Sequence, residues 1–438
     1  MSNVFHRQIT NPPIKAVSSD GCYIIDENGK QYFDGSGGAA VSCLGHGDPD
    51  VIKAVQDQTS KMAFAHTGFF SSDPAEELAE LLIDNAPGEL DRVYFVSGGS
   101  EAIEAAIKLA RQFHIENGEP SRHHIIARKQ SYHGNTLGAL AAGGNKWRRN
   151  QFEPILIDVS HISPCYEYVD KLKEETSFDY GQRVAQELED EILRLGSDKV
   201  MAFIVEPVVG ATMGAVPAVP GYFKKVRNIC NKYGVLLILD EVMCGMGRTG
   251  HLFASEFDEI EPDILCIAKG LGAGYQPIGA MLCSKDIYDR LGKGSGFFQH
   301  GHTYMGHPVA CAAGLAVLKA ILNRKLLSSI NNKSNQLFNC LKTQLEHPNI
   351  GDIRGRGLFI GIEIVKNIET KKPFDPNLKV AASIKNAAFE AGLICYPMSG
   401  TRDGKWGDHI LLAPPFIINE SEIIELVNKL SIAIESVK

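Results

Sequence analysis

An aspartate and a lysine, Asp240 and Lys269, each stand directly after a short apolar run, residues 235–239 and 264–268. Both runs are aliphatic, partly β-branched and of strand length, and they read as buried strands of a mostly parallel sheet. Open α/β sheets bind ligands in the crevice at the carboxyl ends of their strands, so both side chains are expected to face one crevice. Burial beside an apolar strand end penalises an ammonium, and the resulting neutral amine can condense with an aldehyde cofactor. A carboxylate opposite the cofactor's ring nitrogen would keep that nitrogen protonated and the ring an electron sink. The two residues together suit a pyridoxal phosphate site. Taken singly, each has a plainer use, the lysine as a solvated surface residue and the aspartate in a turn or cap. A metal shared by Asp240 and Glu241 is discounted, because adjacent side chains on a continuing strand point to opposite faces.

The segment SGGSEAIEAAIKLAR, residues 97–111, opens a helix through a glycine-rich turn and places Ile103, Ala106, Ile107 and Ala110 on one face. Unpaired amides at such a helix start, reinforced by the positive end of its dipole, can hold a phosphate, and glycines let it come close. Ser100 serves equally well as a helix cap. Gly245, Gly247 and Gly250 satisfy the GxGxxG pattern of dinucleotide sites, which would make the protein an NAD-binding oxidoreductase. That pattern needs a strand before it and an amphipathic helix after it, and neither flank here qualifies.

These residues need a frame to position them. Alternating segments punctuated by Asp20-Gly21 and Asn28-Gly29 predict a small N-terminal sheet of hairpins. Helix signals at 74–85 and 100–113 then alternate with strand signals at 93–96, 124–127 and 202–205, the mark of a doubly wound α/β sheet. The pattern loosens into polar loops near 115–122 and 160–180. A strand at 358–364 and a helix at 420–438 restart the sequence of elements in a C-terminal lobe. The expected division is 1–60 as an N-terminal part of the small domain, 61–325 as the large cofactor domain and 326–438 as the C-terminal small domain. The 438 residues, 44% hydrophobic, are enough to bury large cores. A net charge of -8 gives no footprint for nucleic acid, and no apolar stretch is long enough for a bilayer. The first residues lack the apolar core of a signal peptide, which predicts a cytoplasmic protein. The 10 cysteines are scattered without CxxC spacing and read as free thiols, with Cys244 and Cys266 as small buried residues.

The stretches EVMCGMGRTG and AKGLGAGYQPIG resemble the signature of the class III aminotransferases, the ω-aminotransferase group of fold-type I pyridoxal phosphate enzymes. The likeness extends from YFDGSGGAAVSCLGHGDPDV to GDIRGRGLFIGIEIV and GDHILLAPPF, essentially the whole chain. It implies a fold-type I architecture, a mostly parallel sheet flanked by helices with a small α+β domain formed by the two chain ends. It also implies that Lys269 holds the cofactor as an internal aldimine, moves the substrate proton and passes an amino group from donor to keto acid. Gly98, Gly99 and Ser100 match the family's phosphate turn, with Gly98 in place of the usual hydroxyl residue. QSYHGNT resembles the Tyr-His-Gly motif, which makes Tyr132 the ring-stacking residue with His133 beside it; Asp240 and Val242 complete the cofactor set. HGHTYMGHP resembles the segment that crosses a dimer interface, so Thr303 is expected on the cofactor phosphate of the partner in a homodimer, with His307 where asparagine is common. No metal is implied.

The same resemblance narrows the substrate. GABA and ornithine aminotransferases follow their Glu-Pro element with a Gly-Glu-Gly run, whereas this chain reads EPVVGATMGAVP and has Ala211 at the glutamate position. GTRDGKWGDHILLAPPF instead looks like the amine:pyruvate type, which makes Arg402 the candidate for the acceptor carboxylate. Glu206 is expected to order the pocket rather than react, and Arg354 and Arg356 to be structural. A primary amine, ω-amino acid or related amino compound is the implied donor, with pyruvate or 2-oxoglutarate as acceptor. Decarboxylases, epimerases and aminomutases of the same superfamily keep the same cofactor residues and stand as the alternative.

Overall fold

The computed structural model of the chain describes residues 2–437. Three short N-terminal strands, β1 (Ala16–Asp20), β2 (Tyr23–Asp26) and β3 (Gln31–Asp34), form the antiparallel hairpins that the Asp-Gly and Asn-Gly turns predict. The central sheet is built from β4 (Leu90–Val96), β5 (His124–Arg128), β6 (Val159–Ile162) and β7 (Val200–Val205). A ribbon of β8 (Val208–Val209) and β9 (Val216–Pro217) follows, and β10 (Leu236–Asp240), β11 (Ile264–Ile267) and β12 (Gly279–Ser284) complete the sheet. Its spatial order is β4-β12-β11-β10-β7-β5-β6, with β12 antiparallel to both neighbours.

Both faces of this sheet are covered, which is why its strands are apolar without alternation. Leu236, Ile238, Ile264 and Cys266 pack in one core with Ala102, Ala106 and Ala110 of the helix Gly99–Glu116. Leu237, Leu239, Leu265 and Ile267 face the opposite core, shared with the helices Ser177–Leu195, Tyr222–Tyr233 and Pro308–Asn323. The period of two thus sorts each strand between two hydrophobic layers. Gly234, in the left-handed region at φ 64°, ends the helix before β10 and lets the chain turn into the sheet.

The later strands are β13 (Ile350–Arg356), β14 (Phe359–Ile364), β15 (Leu393–Ile394), β16 (Tyr396–Ser399) and β17 (Asp408–Leu412). β15 adds to β3, so the two chain ends share one sheet, while β13-β14-β17-β16 form another. The last helix spans Glu420–Ile434, opened by a capping box of Asn419 and Glu422. The region 160–180 is more regular than its sequence implies: β6 occupies its start, Glu167–Asp170 forms a helical turn and Ser177 opens a long helix. A four-residue strand on a sheet edge is too short to show a period, and Thr176, which caps the helix, lies within the polar run. No helix among the described residues is long and apolar enough to cross a membrane.

Candidate active site

Asp240, Lys269, Glu206 and the 97–100 turn all follow strands of the central sheet at its carboxyl edge. That common origin brings them around a cavity of about 450 Å³, lined also by Tyr132, His133 and Val242. β10 and β11 run side by side with Asp240 level with Cys266, so the turn after Ala268 delivers Lys269 to the same side. Glu241 points elsewhere and accepts the amides of Ala254 and Ser255 at 2.5 and 2.8 Å. The two adjacent acids therefore serve different places, as strand alternation requires.

Two donors converge on Asp240. His133 Nδ1 lies 2.7 Å from Oδ2, and the Val242 amide donates to Oδ1 at 3.0 Å. Both His133 and Asp240 are buried, and His133 Nε2 has no partner. Lys269 sits in a 3-10 turn at φ 45°, a left-handed conformation that costs a residue with a side chain about 1–3 kcal/mol. Burial pushes its ammonium pKa below the ordinary lysine value, against the opposing pull of the Asp240 and Glu206 carboxyls. Part of the side chain still borders the open cavity. Burial acts in the other direction on Glu206, whose carboxyl is pushed up to about 7 and whose Oε2 has no partner. Arg128 Nη2 holds the Glu206 carbonyl at 2.6 Å, fixing the backbone rather than the acid.

At the helix start the first turn closes from Ala102 N to Gly98 O at 3.0 Å, which leaves the amides of Gly99, Ser100 and Glu101 without intrahelical acceptors. A Cβ on Gly99 would come within 2.6 Å of Val242 Cγ1, so the turn and the segment after Asp240 approach as closely as they do because residue 99 is glycine. Ser100 is not the cap. Gly98 holds that position, and Ser100 Oγ accepts the Asn135 amide at 3.1 Å, tying the helix to the loop that carries Tyr132 and His133. The Arg148 guanidinium lies 4.6 Å from the Tyr132 ring centroid. An amine whose charge is disfavoured, an acid on the neighbouring strand end, open first-turn amides and an aromatic wall fit pyridoxal phosphate.

Two candidates lie outside this wall. Thr303 is exposed and Arg402 donates to the Lys371 carbonyl, and neither lines the cavity. Ala211 does line it, buried, at the position where GABA and ornithine aminotransferases are expected to carry a gating glutamate. Arg354 pairs with Glu363 at 2.7 Å and Arg356 with Asp258 at 2.6 Å, both structural uses. Gly245, Gly247 and Gly250 lie in a run of turns with only a short 3-10 helix after it, so no dinucleotide fingerprint forms. Arg148, against Tyr132 though not in the cavity wall, is the residue that sequence patterns did not mark; Val41 and Met243 line the wall from within stretches that carry the family likeness. The KWRR run around Arg148 could have been questioned as unpaired charge.

The family model described as Aminotransferase class-III matches residues 4–434. An uncharacterized aminotransferase of Schizosaccharomyces pombe is 46% identical over 435 residues, covering 99% of this chain and 95% of its own. Among solved structures, an (S)-enantioselective omega-transaminase from Thermomicrobium roseum superposes with a TM-score of 0.92 at 36% identity, covering 98% and 94% of the two chains. The omega transaminase of Pseudomonas jessenii in complex with PMP gives 0.91 at 32% identity, over 97% and 92%. With the cavity at the carboxyl edge of the sheet and its lysine and aspartate in place, the chain belongs to the class III aminotransferases, pyridoxal phosphate-dependent transaminases of fold type I.

Proposed function

We propose that this transaminase takes its amino group from a primary amine, ω-amino acid or related amino compound and gives it to a keto acid such as pyruvate or 2-oxoglutarate. The observation that carries this reading is Ala211 in the wall of the cavity that Lys269 and Asp240 also line, which leaves no gating glutamate at that position. The omega-transaminase names of the structural relatives support the same substrate class.

When bound, pyridoxal phosphate supplies an aldehyde that takes up the amino group and a ring that spreads developing negative charge. The chain's own residues divide the remaining work. Lys269 Nζ, favoured as the neutral amine by burial, takes the proton from the substrate carbon and later returns one. Asp240 would hold the proton of the cofactor's ring nitrogen, and His133 and the Val242 amide hold its carboxyl in one orientation. Gly99 and Ser100 offer amides to the phosphate, with Gly98 contributing backbone alone. Tyr132, in the cavity wall, would stack against the cofactor ring and exclude water there. Arg402 is the mobile carboxylate partner in this proposal and must first release the Lys371 carbonyl.

The proposal also includes a homodimer in which Thr303 reaches the partner's cofactor, supported by the exposure of Thr303, of the adjacent Tyr304 and of Phe64, whose ring lies 5.8 Å from that of Tyr304. The domain division at residues 60 and 325 belongs to it as well, supported by the pairing of β15 with β3. A cytoplasmic setting is supported by 10 cysteines that are all free thiols. Turnover of an amine panel with pyruvate and 2-oxoglutarate tests the substrate reading. One amino acid formed per amine consumed is the expected result, whereas carbon dioxide release or scrambled stereochemistry without acceptor consumption overturns it.

A further inference from the structure

We propose that Arg148 receives the carboxylate of the keto acid acceptor beside Tyr132, a role that rests on the acceptor reading above. Arg148 lies on the four-residue helix Lys146–Arg149, whose start is fixed by Asn145 Oδ1 accepting the Arg148 amide at 3.2 Å. Its neighbour Arg149 is fully engaged, donating to carbonyls that include Gly143 O at 2.9 Å and approaching Glu153 at 3.8 Å. The Arg148 guanidinium is not. Among the described residues no carboxyl or carbonyl accepts from it, and its Nε is shut away from solvent without a partner.

A half-buried guanidinium with no anion is a costly thing to leave in place, and an incoming carboxylate offers what it lacks. The position suits that use. Arg148 Cζ stands 4.6 Å from the centroid of Tyr132, whose ring is part of the cavity wall. Its positive charge also bears on Lys269 and disfavours the ammonium there. A Cβ on Gly404 would come within 2.9 Å of the Trp147 amide, so the 400–407 loop closes directly on the helix and sets where Arg148 sits. Arg402, on the same loop, faces away to the Lys371 carbonyl. Arg148 is not itself part of the cavity wall; it lies against the Tyr132 ring that is, and it has no anion to release before a carboxylate arrives there. A donor amine without a carboxylate gains nothing from it, which for such donors separates the two half-reactions by charge.

The test uses cofactor-loaded holoenzyme, first aminated with an amine and freed of excess donor. Recovery of the near-visible band is then timed with pyruvate and, separately, with propanal, an acceptor of similar size without a carboxylate. Arg148→Gln is expected to lower the second-order rate with pyruvate about tenfold or more relative to the change with propanal. Arg148→Lys should recover part of that loss, since it restores charge without the planar fork. Equal losses with both acceptors would mean that Arg148 only packs against Tyr132, and would overturn the proposal. So would a pyruvate-selective loss in Arg402→Gln with none in Arg148→Gln. A wild-type enzyme that propanal restores and no keto acid does would overturn the acceptor reading itself, and this role with it.

Discussion

At the Lys269 end of the cavity every reacting group leaves a strand of the central sheet, and its neighbours are in place before any ligand arrives. Asp240 is held by His133 and by the Val242 amide, Lys269 by a turn in the left-handed region, and the 97–100 turn by its close approach to Val242. Outside the cavity wall the two candidate arginines sit on a loop and on a four-residue helix; one of them is tied to a backbone carbonyl and the other has no acceptor. The first region is built for one unvarying chemistry on the cofactor. In the proposed reaction the second must admit an amino donor and a keto acid in turn, and its unfinished hydrogen bonding suits two unlike substrates.

Substitutions at the rigid end should therefore stop the chemistry, and the largest effect belongs to Lys269→Ala. Transamination should fall on the order of 10⁴-fold with loss of the near-visible band, read by steady-state turnover and absorption. Retention of both would remove the lysine from its role. Asp240→Asn should lower turnover on the order of a hundredfold with the cofactor still bound, because an amide sustains the protonated ring poorly; unchanged turnover would refute the assignment.

Glu206 gives a pH test of the same buried region. Its folded carboxyl titrates near 7, above the ordinary glutamate value of 4.5, so the folded chain binds a proton there that the unfolded chain has already released. The stability from this site is complete below about pH 4.5 and is lost as pH rises through about 7. Relative to wild type, Glu206→Gln should gain roughly 2 kcal/mol between about pH 5 and about pH 8, measured by urea unfolding at constant cofactor. A difference that does not change with pH would place that proton elsewhere. The smallest of these effects is expected for Gly99→Ala, which must push Val242 aside and should weaken cofactor affinity about tenfold. Fluorescence titration with pyridoxal phosphate would show it, and undiminished affinity would mean that the turn is not the phosphate cradle.

The contrast between the two ends also decided how much the sequence could reveal. Strand ends announce themselves: an apolar run followed by Asp240 or Lys269 is local, and the two-sided burial of β10 and β11 follows from their continuous hydrophobicity. The glycine-rich turn and the helix Gly99–Glu116 were equally legible, although the cap falls on Gly98 and not on Ser100. Arg148 was not, since nothing in KWRR tells which of two adjacent arginines will find carbonyls and which will lie over Tyr132. Val41 reaches the cavity from a distant N-terminal segment, and His133, named from its motif, makes a contact with Asp240 107 positions away that the motif did not specify. Such contacts depend on how strands are ordered in the sheet, which local periodicity does not encode.

The most direct test of the central claim is the near-visible spectrum of the purified protein, recorded alone, after an amine without acceptor, and after a keto acid. A band that the amine bleaches and the keto acid restores is the predicted result, with Lys269 and Asp240 running both halves of one transfer. A protein that shows no band even with added pyridoxal phosphate, or a band that no amine bleaches, would contradict it.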